Sequence, residues 1–365
     1  MKVAKIDNSN LLIFLNRFGS FFLNLPESLF IICTLAFFTL KIGVRGILPW
    51  ADFSPVENFP KPTQSMSTNS IGILIFSKVF NTTNKNSFFI LNLLILLFFL
   101  LIFYSLIRLK FANNPLVQRS LILIFFASPI YTVLLGNVGR HDVLTIFGIL
   151  FFFMSRKRFF FYMSLTIACL GSPEHLLAGL VLAFVASFAF LKTDLKKKLL
   201  EAISFNIIFL ILVSIWAKTV ASGESRFAVI IPYVDLAYRN FANNLLLEWY
   251  SYFGVFWFFL VYAIIEFNFR QRLIITGPIF FAMVFNIFMV DKTRDFVIAI
   301  FPTALLLLSV YFRKLALNQK LQKQKNLYFG FLIAVLVISP QIEITFEGVP
   351  RAPWAWFISK AFGSM

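Results

Sequence analysis

Apolar stretches long enough to form membrane helices recur along this chain, and the charges between them alternate in kind. Lysine and arginine gather after every second stretch: Lys2/Lys5/Arg17, Arg108/Lys110/Arg119, Arg156-Lys157-Arg158, Lys192/Lys196/Lys197/Lys198, Arg270/Arg272 and Arg313/Lys314/Lys320/Lys323/Lys325. Nearly all the acids and both histidines occupy the turns between: Asp52/Glu57, Arg140-His141-Asp142, Glu174-His175, Glu224 to Glu248, Asp291 to Asp295 and Glu343/Glu347. In lipid the backbone must satisfy its own hydrogen bonds, so such a chain is expected to be an all-α helical bundle. Basic clusters stay on the cytoplasmic side, which predicts a cytoplasmic N-terminus and places the acid- and histidine-bearing turns on the extracytoplasmic face.

Counting the stretches against the twenty or so residues that cross a bilayer predicts about eleven spans. They run Ser28–Leu48, Phe88–Ile107, Val117–Leu135, Val143–Met154, Phe159–Leu170, Leu176–Leu191, Leu199–Val220, Trp249–Phe267, Leu273–Val290, Phe296–Phe312 and Leu327–Ser339. The fourth and fifth are short and read as tilted or re-entrant hairpin helices. Residues 1–27 lack the apolar core of a cleavable signal, so the first span is expected to act as an anchor. A hydrophobic fraction of 59% with only 13% charged residues excludes an ordinary soluble domain. The whole of 1–365 reads as a single integral membrane domain, expected in a bacterial inner (plasma) membrane. The formal charge of +17 sits in short loops beside apolar helices, where it sets topology and meets anionic lipid; no nucleic-acid partner is expected. Cys33 and Cys169 lie inside apolar stretches and read as small hydrophobes.

Three outer constellations carry candidate chemistry. The first loop, Pro49 to Pro60, holds Asp52 and Glu57 among prolines and aromatics suited to the membrane interface, and Ser70–Phe80 reads as a short interfacial helix. The second is Gly136-Asn137-Val138-Gly139-Arg140-His141-Asp142, followed at the next outer turn by Gly171-Ser172-Pro173-Glu174-His175. Asp142 and Ser172 fit helix capping, whereas Arg140, His141 and His175 fit capping less well; a guanidinium and an imidazole beside free helical amides suit a phosphate. The third is Asp291-Lys292-Thr293-Arg294-Asp295, with four charges in five residues, where Lys292 and Arg294 either pair internally or face a cavity shared with Arg140 and His141. The chain has no Walker loop, dinucleotide fingerprint, His-Glu-x-x-His zinc helix or Gly-x-Ser-x-Gly elbow, and its cytoplasmic loops are too short for a nucleotide-binding domain.

The acid-bearing first outer loop, the Gly-x-x-Gly-Arg-His-Asp turn opening a short helix, and the late Asp-Lys-Thr-Arg-Asp turn followed by Phe301-Pro302 together resemble the GT-C class of membrane glycosyltransferases. The resemblance implies transfer of a sugar from a polyprenyl-phosphate carrier to a glycan or lipid-linked acceptor on the extracytoplasmic face, in cell-surface polysaccharide synthesis. It assigns the base to Asp52 or Glu57, and the lipid phosphate or substrate to Arg140, His141, Asp142, His175, Lys292 and Arg294. The chain departs from the adjacent-acid and Asp-x-Asp forms commoner in that class. A divalent cation bridging phosphate and carboxylate stays an open alternative, since the acids are scattered. The competing readings are a polymerase or ligase of lipid-linked glycans, a transporter or flippase, and a membrane scaffold.

Overall fold

A computed structural model describes residues 8–44, 71–82, 84–190, 193–220, 234–254, 256–289, 291–344 and 350–351. The helices are α1 (Asn8–Asn24), α2 (Glu27–Ile42), α3 (Ile71–Val79), α4 (Lys85–Phe111), α5 (Pro115–Phe126), α6 (Pro129–Gly136), α7 (Asp142–Met154) and α8 (Arg158–Gly171). They continue with α9 (Pro173–Ser187), α10 (Thr193–Val220), α11 (Val234–Phe253), α12 (Phe256–Ile265), α13 (Phe269–Asn286), α14 (Lys292–Leu317), α15 (Gln319–Lys323) and α16 (Lys325–Ile338). A pair of two-residue antiparallel strands, β1 (Glu343–Ile344) and β2 (Pro350–Arg351), follows, and the elements among the described residues are otherwise helices.

Among the described residues, α4, α10 and α14 are long and apolar enough to cross a membrane, and the bent pairs α1/α2 and α5/α6 raise that number to 5. Four shorter apolar helices, α7, α8, α9 and α16, are 13 to 15 residues long. Two stretches expected to be continuous are broken. Ser128 and Pro129 interrupt Val117–Leu135 with a 49° bend: the serine hydroxyl accepts from the Tyr131 amide, and proline at the first helical position has no N–H to give to the preceding turn. Trp249–Phe267 is divided at Gly254, whose φ is +48°. The region before it, expected to be an outer loop to Glu248, is helical from Val234. Helix α1 was not anticipated, because its apolar residues are interrupted by Asn16, Arg17 and Gly19.

Helices α9 and α14 form the centre, in contact with each other and flanked by α10, α11, α12 and α13; the α7/α8 hairpin and α4 pack alongside. Much of the core is phenylalanine. Phe99 stacks on Phe147 at 5.4 Å between centroids, Phe103 meets Phe125 at 4.5 Å, and Tyr252 lies flat on Phe296 at 4.3 Å.

The charge alternation of the sequence becomes two ends of the bundle. At one end the Lys198 ammonium donates to the Ser155 carbonyl, Gln271 donates to the Ala189 carbonyl, and Arg119 donates to the carbonyls of Phe22, in the last turn of α1, and Leu25, just past its end. A buried cation at a helix C-terminus is favoured by the unpaired carbonyls and the dipole there. At the other end lie the turns at residues 137–142, 172–175 and 291–295. Lys41 also lies there, donating to the carbonyls of Leu336, Val337 and Ser339 at 3.1, 2.9 and 2.6 Å, which closes the C-terminus of α16.

Helix α1 crosses α16 in backbone contact. A Cβ on Gly19 would stand 1.8 Å from the Asn326 carbonyl oxygen, and one on Gly330 would stand 2.0 Å from that of Leu15. Gly19→Ala is therefore expected to destabilise by about 1–3 kcal/mol, the usual cost of overpacking. Gly277→Ala, whose Cβ meets nothing within 4 Å, should leave stability unchanged or raise it. Thermal unfolding of the detergent-solubilised protein checks both, and equal melting temperatures for the two variants would contradict the crossing.

Candidate functional site

Three turns from distant parts of the sequence meet at the less basic end. The Asn137 carbonyl accepts from the Arg140 amide at 3.0 Å, closing a tight turn in which Gly139 takes φ +106°. This turn delivers Arg140, His141 and Asp142 to the start of α7. The Ser172–His175 turn opens α9, and Asp291 to Asp295 opens α14.

Arg294 is the hub. Its Nε and Nη2 bond the two carboxylate oxygens of Asp142 at 2.6 and 2.8 Å, a bidentate pair. Nη1 lies 3.2 Å from Asp291 and 3.6 Å from Asp295. Nη2 also reaches His141 Nε2 at 2.9 Å. An arginine can only donate, so Nε2 accepts and the ring proton of a neutral His141 lies on Nδ1. Arg140 pairs with Asp291, and His175 Nε2 lies 3.0 Å from Asp295 while its Nδ1 lies 2.5 Å from the Ser172 hydroxyl. Two guanidinium groups thus face three carboxylates between the starts of α7 and α14, with the His175 ring of α9 beside them.

The network has a closed side and an open side. The side chains of Asp142 and Arg294 are 2% and 8% exposed, whereas those of Arg140 and Asp291 are 23% and 22% exposed. His175 and Asp295, at 15% and 14%, lie between these limits. Beside the network lies a cavity of about 10 Å³, lined by Asn92, Asn137, Arg140 and Asp142 among others and large enough for about one water molecule.

Depth follows from helix rise. Asn92 stands beside this cavity, and Arg108 lies at the far end of the same helix; Asp295 and Arg313 are related in the same way along α14. At 1.5 Å per residue both intervals are about 24–27 Å. Helix α4 continues about 10 Å past Asn92 to Lys85, so the network is recessed below the end of that helix.

Several sequence expectations are corrected. Asp142 does not cap α7: the capping position is His141, with no side-chain cap, and the Asp142 carboxylate turns to Arg294. Ser172 likewise leaves α9 uncapped and gives its hydroxyl to His175, while its amide donates to Thr145 Oγ1 at 2.7 Å. Arg140, His141, Asp142, His175 and Arg294 come together as a group. Lys292 begins α14 next to them, and its side chain, together with Asp52 and Glu57, lies outside the described residues. Arg294 pairs within its own turn with Asp291 and Asp295, one of the two arrangements expected there, and residues that sequence reasoning left out of the site are Asn92 and Glu343. Glu343 accepts from Asn137 Nδ2 at 2.7 Å. The only signal for Asn92 was a lone amide seven residues into an apolar helix. Among the described residues no group of three or more His, Cys, Asp or Glu side chains is placed to hold a metal ion.

The chain matches no protein-family model, no curated protein and no solved structure.

Burial pushes the Asp142 carboxyl up, but Arg294 outweighs it and holds the group well below the ordinary carboxylate range. Asp291 is lowered in the same way, with Arg140 and Arg294 prevailing over burial. In the unfolded chain both titrate near 3.9, so over the acid range the folded protein binds fewer protons. Their contribution to stability is complete above about pH 4 and is lost as pH falls through the depressed folded values. Asp142→Asn leaves Arg294 a buried charge without its main partner and is expected to cost about 3–5 kcal/mol at neutral pH. Its melting temperature should also fall less between pH 5 and pH 3 than that of the parent. Parallel pH profiles for the two proteins would show that the pair contributes nothing.

Proposed function

We propose that the chain is an integral membrane glycosyltransferase of the GT-C type. In this reading it transfers a sugar from a polyprenyl-phosphate carrier to a glycan or lipid-linked acceptor on the extracytoplasmic face of a bacterial inner membrane. The observation that carries the reading is the convergence of Arg140, His141, Asp142, His175 and Arg294, residues from three separate turns, on one recessed network at the end of the bundle away from the basic turns. The eleven-crossing topology is part of the proposal. With the basic ends at the cytoplasmic boundary, a level about 24–27 Å away lies just inside the outer boundary of a hydrocarbon layer about 30 Å thick. The reading also places α3 at the outer interface.

Sugar transfer from a lipid phosphate asks for a carboxylate to take the acceptor hydroxyl's proton and for cations to hold the departing phosphate. The open side of the network supplies both. Arg140 turns from Asp291 to a phosphate oxygen, while Arg294 stays anchored by Asp142. Asp291, relieved of one guanidinium, becomes a stronger base. The acceptor oxygen bonds to the anomeric carbon, the bond from that carbon to phosphate breaks, the hydroxyl proton passes to Asp291, and polyprenyl phosphate leaves on Arg140. Asp52 and Glu57 remain candidates for the same proton. A buried network in which arginines and carboxylates neutralise one another is also what an ion-coupled transporter places in a membrane, and this is the rival reading.

Membranes carrying the chain, supplied with a panel of polyprenyl-phosphate-linked hexoses and pentoses, should release polyprenyl phosphate. Arg140→Ala and Asp291→Asn are each expected to lower the rate about a hundredfold, with Arg140→Lys intermediate, at unchanged protein level. Asp194→Asn, an exposed change at the start of α10, should have no effect. No release from any donor by the parent protein, with solute or proton uptake that depends on Arg294, would replace this reading with the transporter.

A further inference from the structure

The motif Gly136-Asn137 ends α6, and the chain that fills the space beside it comes from more than 200 residues later. A Cβ on Gly136 would stand 2.4 Å from Glu343 Oε2, and its three nearest atoms would all belong to that carboxylate. Glu343 Oε1 accepts from Asn137 Nδ2 at 2.7 Å, and the same amide group also donates to the Val133 carbonyl at 3.2 Å. Glu343 is 6% exposed, so its carboxylate is held out of water at the root of the turn that presents Arg140.

The segment leading to Glu343 is pinned along its length. Lys41 holds the carbonyls of Leu336, Val337 and Ser339; Tyr250 donates to the Pro340 carbonyl at 2.6 Å; Gln341 donates to the Phe126 carbonyl at 3.0 Å. These contacts join α2, α5 and α11 to the chain just before β1. The last link passes through Asn137, whose own carbonyl accepts the Arg140 amide.

We infer that Glu343 is a positioning residue of the site, which fixes the Arg140-His141-Asp142 turn through Asn137 and occupies the room left by the absent side chain of Gly136. Neither residue needs to touch substrate. An acid after the last apolar stretch sets the orientation of the arginine on the open side, and the small residue of the motif serves that acid. The inference deepens the transferase reading only in naming what orients Arg140. The juxtaposition itself does not depend on that reading.

The test is a double-mutant cycle read by amide hydrogen exchange of the purified, solubilised full chain, which needs no transferase activity. Glu343→Ala should speed exchange in peptides covering 137–142 by about tenfold, with little change in those covering 158–171. Gly136→Ala should do the same alone, because the new methyl meets the carboxylate. In the Glu343→Ala background the Gly136→Ala change should add nothing, since no other atom lies nearer than the carboxylate. Glu343→Gln, which keeps an acceptor for Asn137, should fold and fall between parent and Glu343→Ala. Additive effects of the two alanine changes, or unchanged exchange at 137–142 in both Glu343 variants, would overturn the inference. If transfer activity is also found, Glu343→Gln should raise the donor KM more than it lowers kcat. Failure of the transferase reading would leave the exchange result standing.

Discussion

Arg294 and Asp142 form a pair that is costly to build and more costly to break. Removing two charges from water costs several kcal/mol each, and the mutual attraction offsets this only with good geometry and further hydrogen bonds. Here the guanidinium uses Nε and Nη2 on one carboxylate, and Asp291, Asp295 and His141 take up what remains. The pair joins the first turn of α7 to the first turn of α14. Because α14 packs on α9, the turn carrying His175 is brought to the same place. Arg140 and Asp291 then occupy the more exposed side of a network whose inner side is already closed.

Helix length explains why this network is where it is. Helices of 13 to 15 residues rise only about 20 Å, less than the hydrocarbon thickness of a bilayer. The starts of α7 and α9 therefore lie below the end of α4, and charged turns at those starts are enclosed by neighbouring helices. Buried charge at that level must be internally matched, and two guanidinium groups against three carboxylates come close to it. The phenylalanine core beneath, with Phe99, Phe147 and Phe296 among its rings, supplies bulk that fixes the helix positions without offering any polar alternative to those turns. The close crossing of Gly19 against Gly330 lies apart from the site and fixes α1 on α16.

In the proposed chemistry the inner and outer arginines have different tasks. Arg294 has its fork filled by Asp142 and serves as a fixed positive floor. Arg140 is held by the partly exposed Asp291, a pairing that an incoming phosphate can replace at smaller cost, since surface-side ion pairs are weak. The same exchange would free a carboxylate where a proton must be received. The orientation of Arg140 depends in turn on Asn137 and Glu343, so the geometry of the open side is set by a strap from the far end of the chain.

The sequence alone determined the helical class, the division of charge between two ends, and three of the turns whose charged side chains converge. Apolar length, the hydrogen-bonding demands of a lipid environment and the clustering of Lys and Arg are local properties that survive without knowledge of contacts. Arg140, His141 and Arg294 stood out because charges so dense beside apolar helices need a reason. Tertiary structure decided the partners. Whether Asp142 caps its own helix or holds Arg294, 152 residues away, is settled by which group lies nearer once α7 and α14 are packed. The Ser172 amide likewise finds Thr145 of α7, 27 residues away. The docking of Glu343 on Gly136 was likewise decided by packing, because pattern counting registers apolar character and not the space between distant segments.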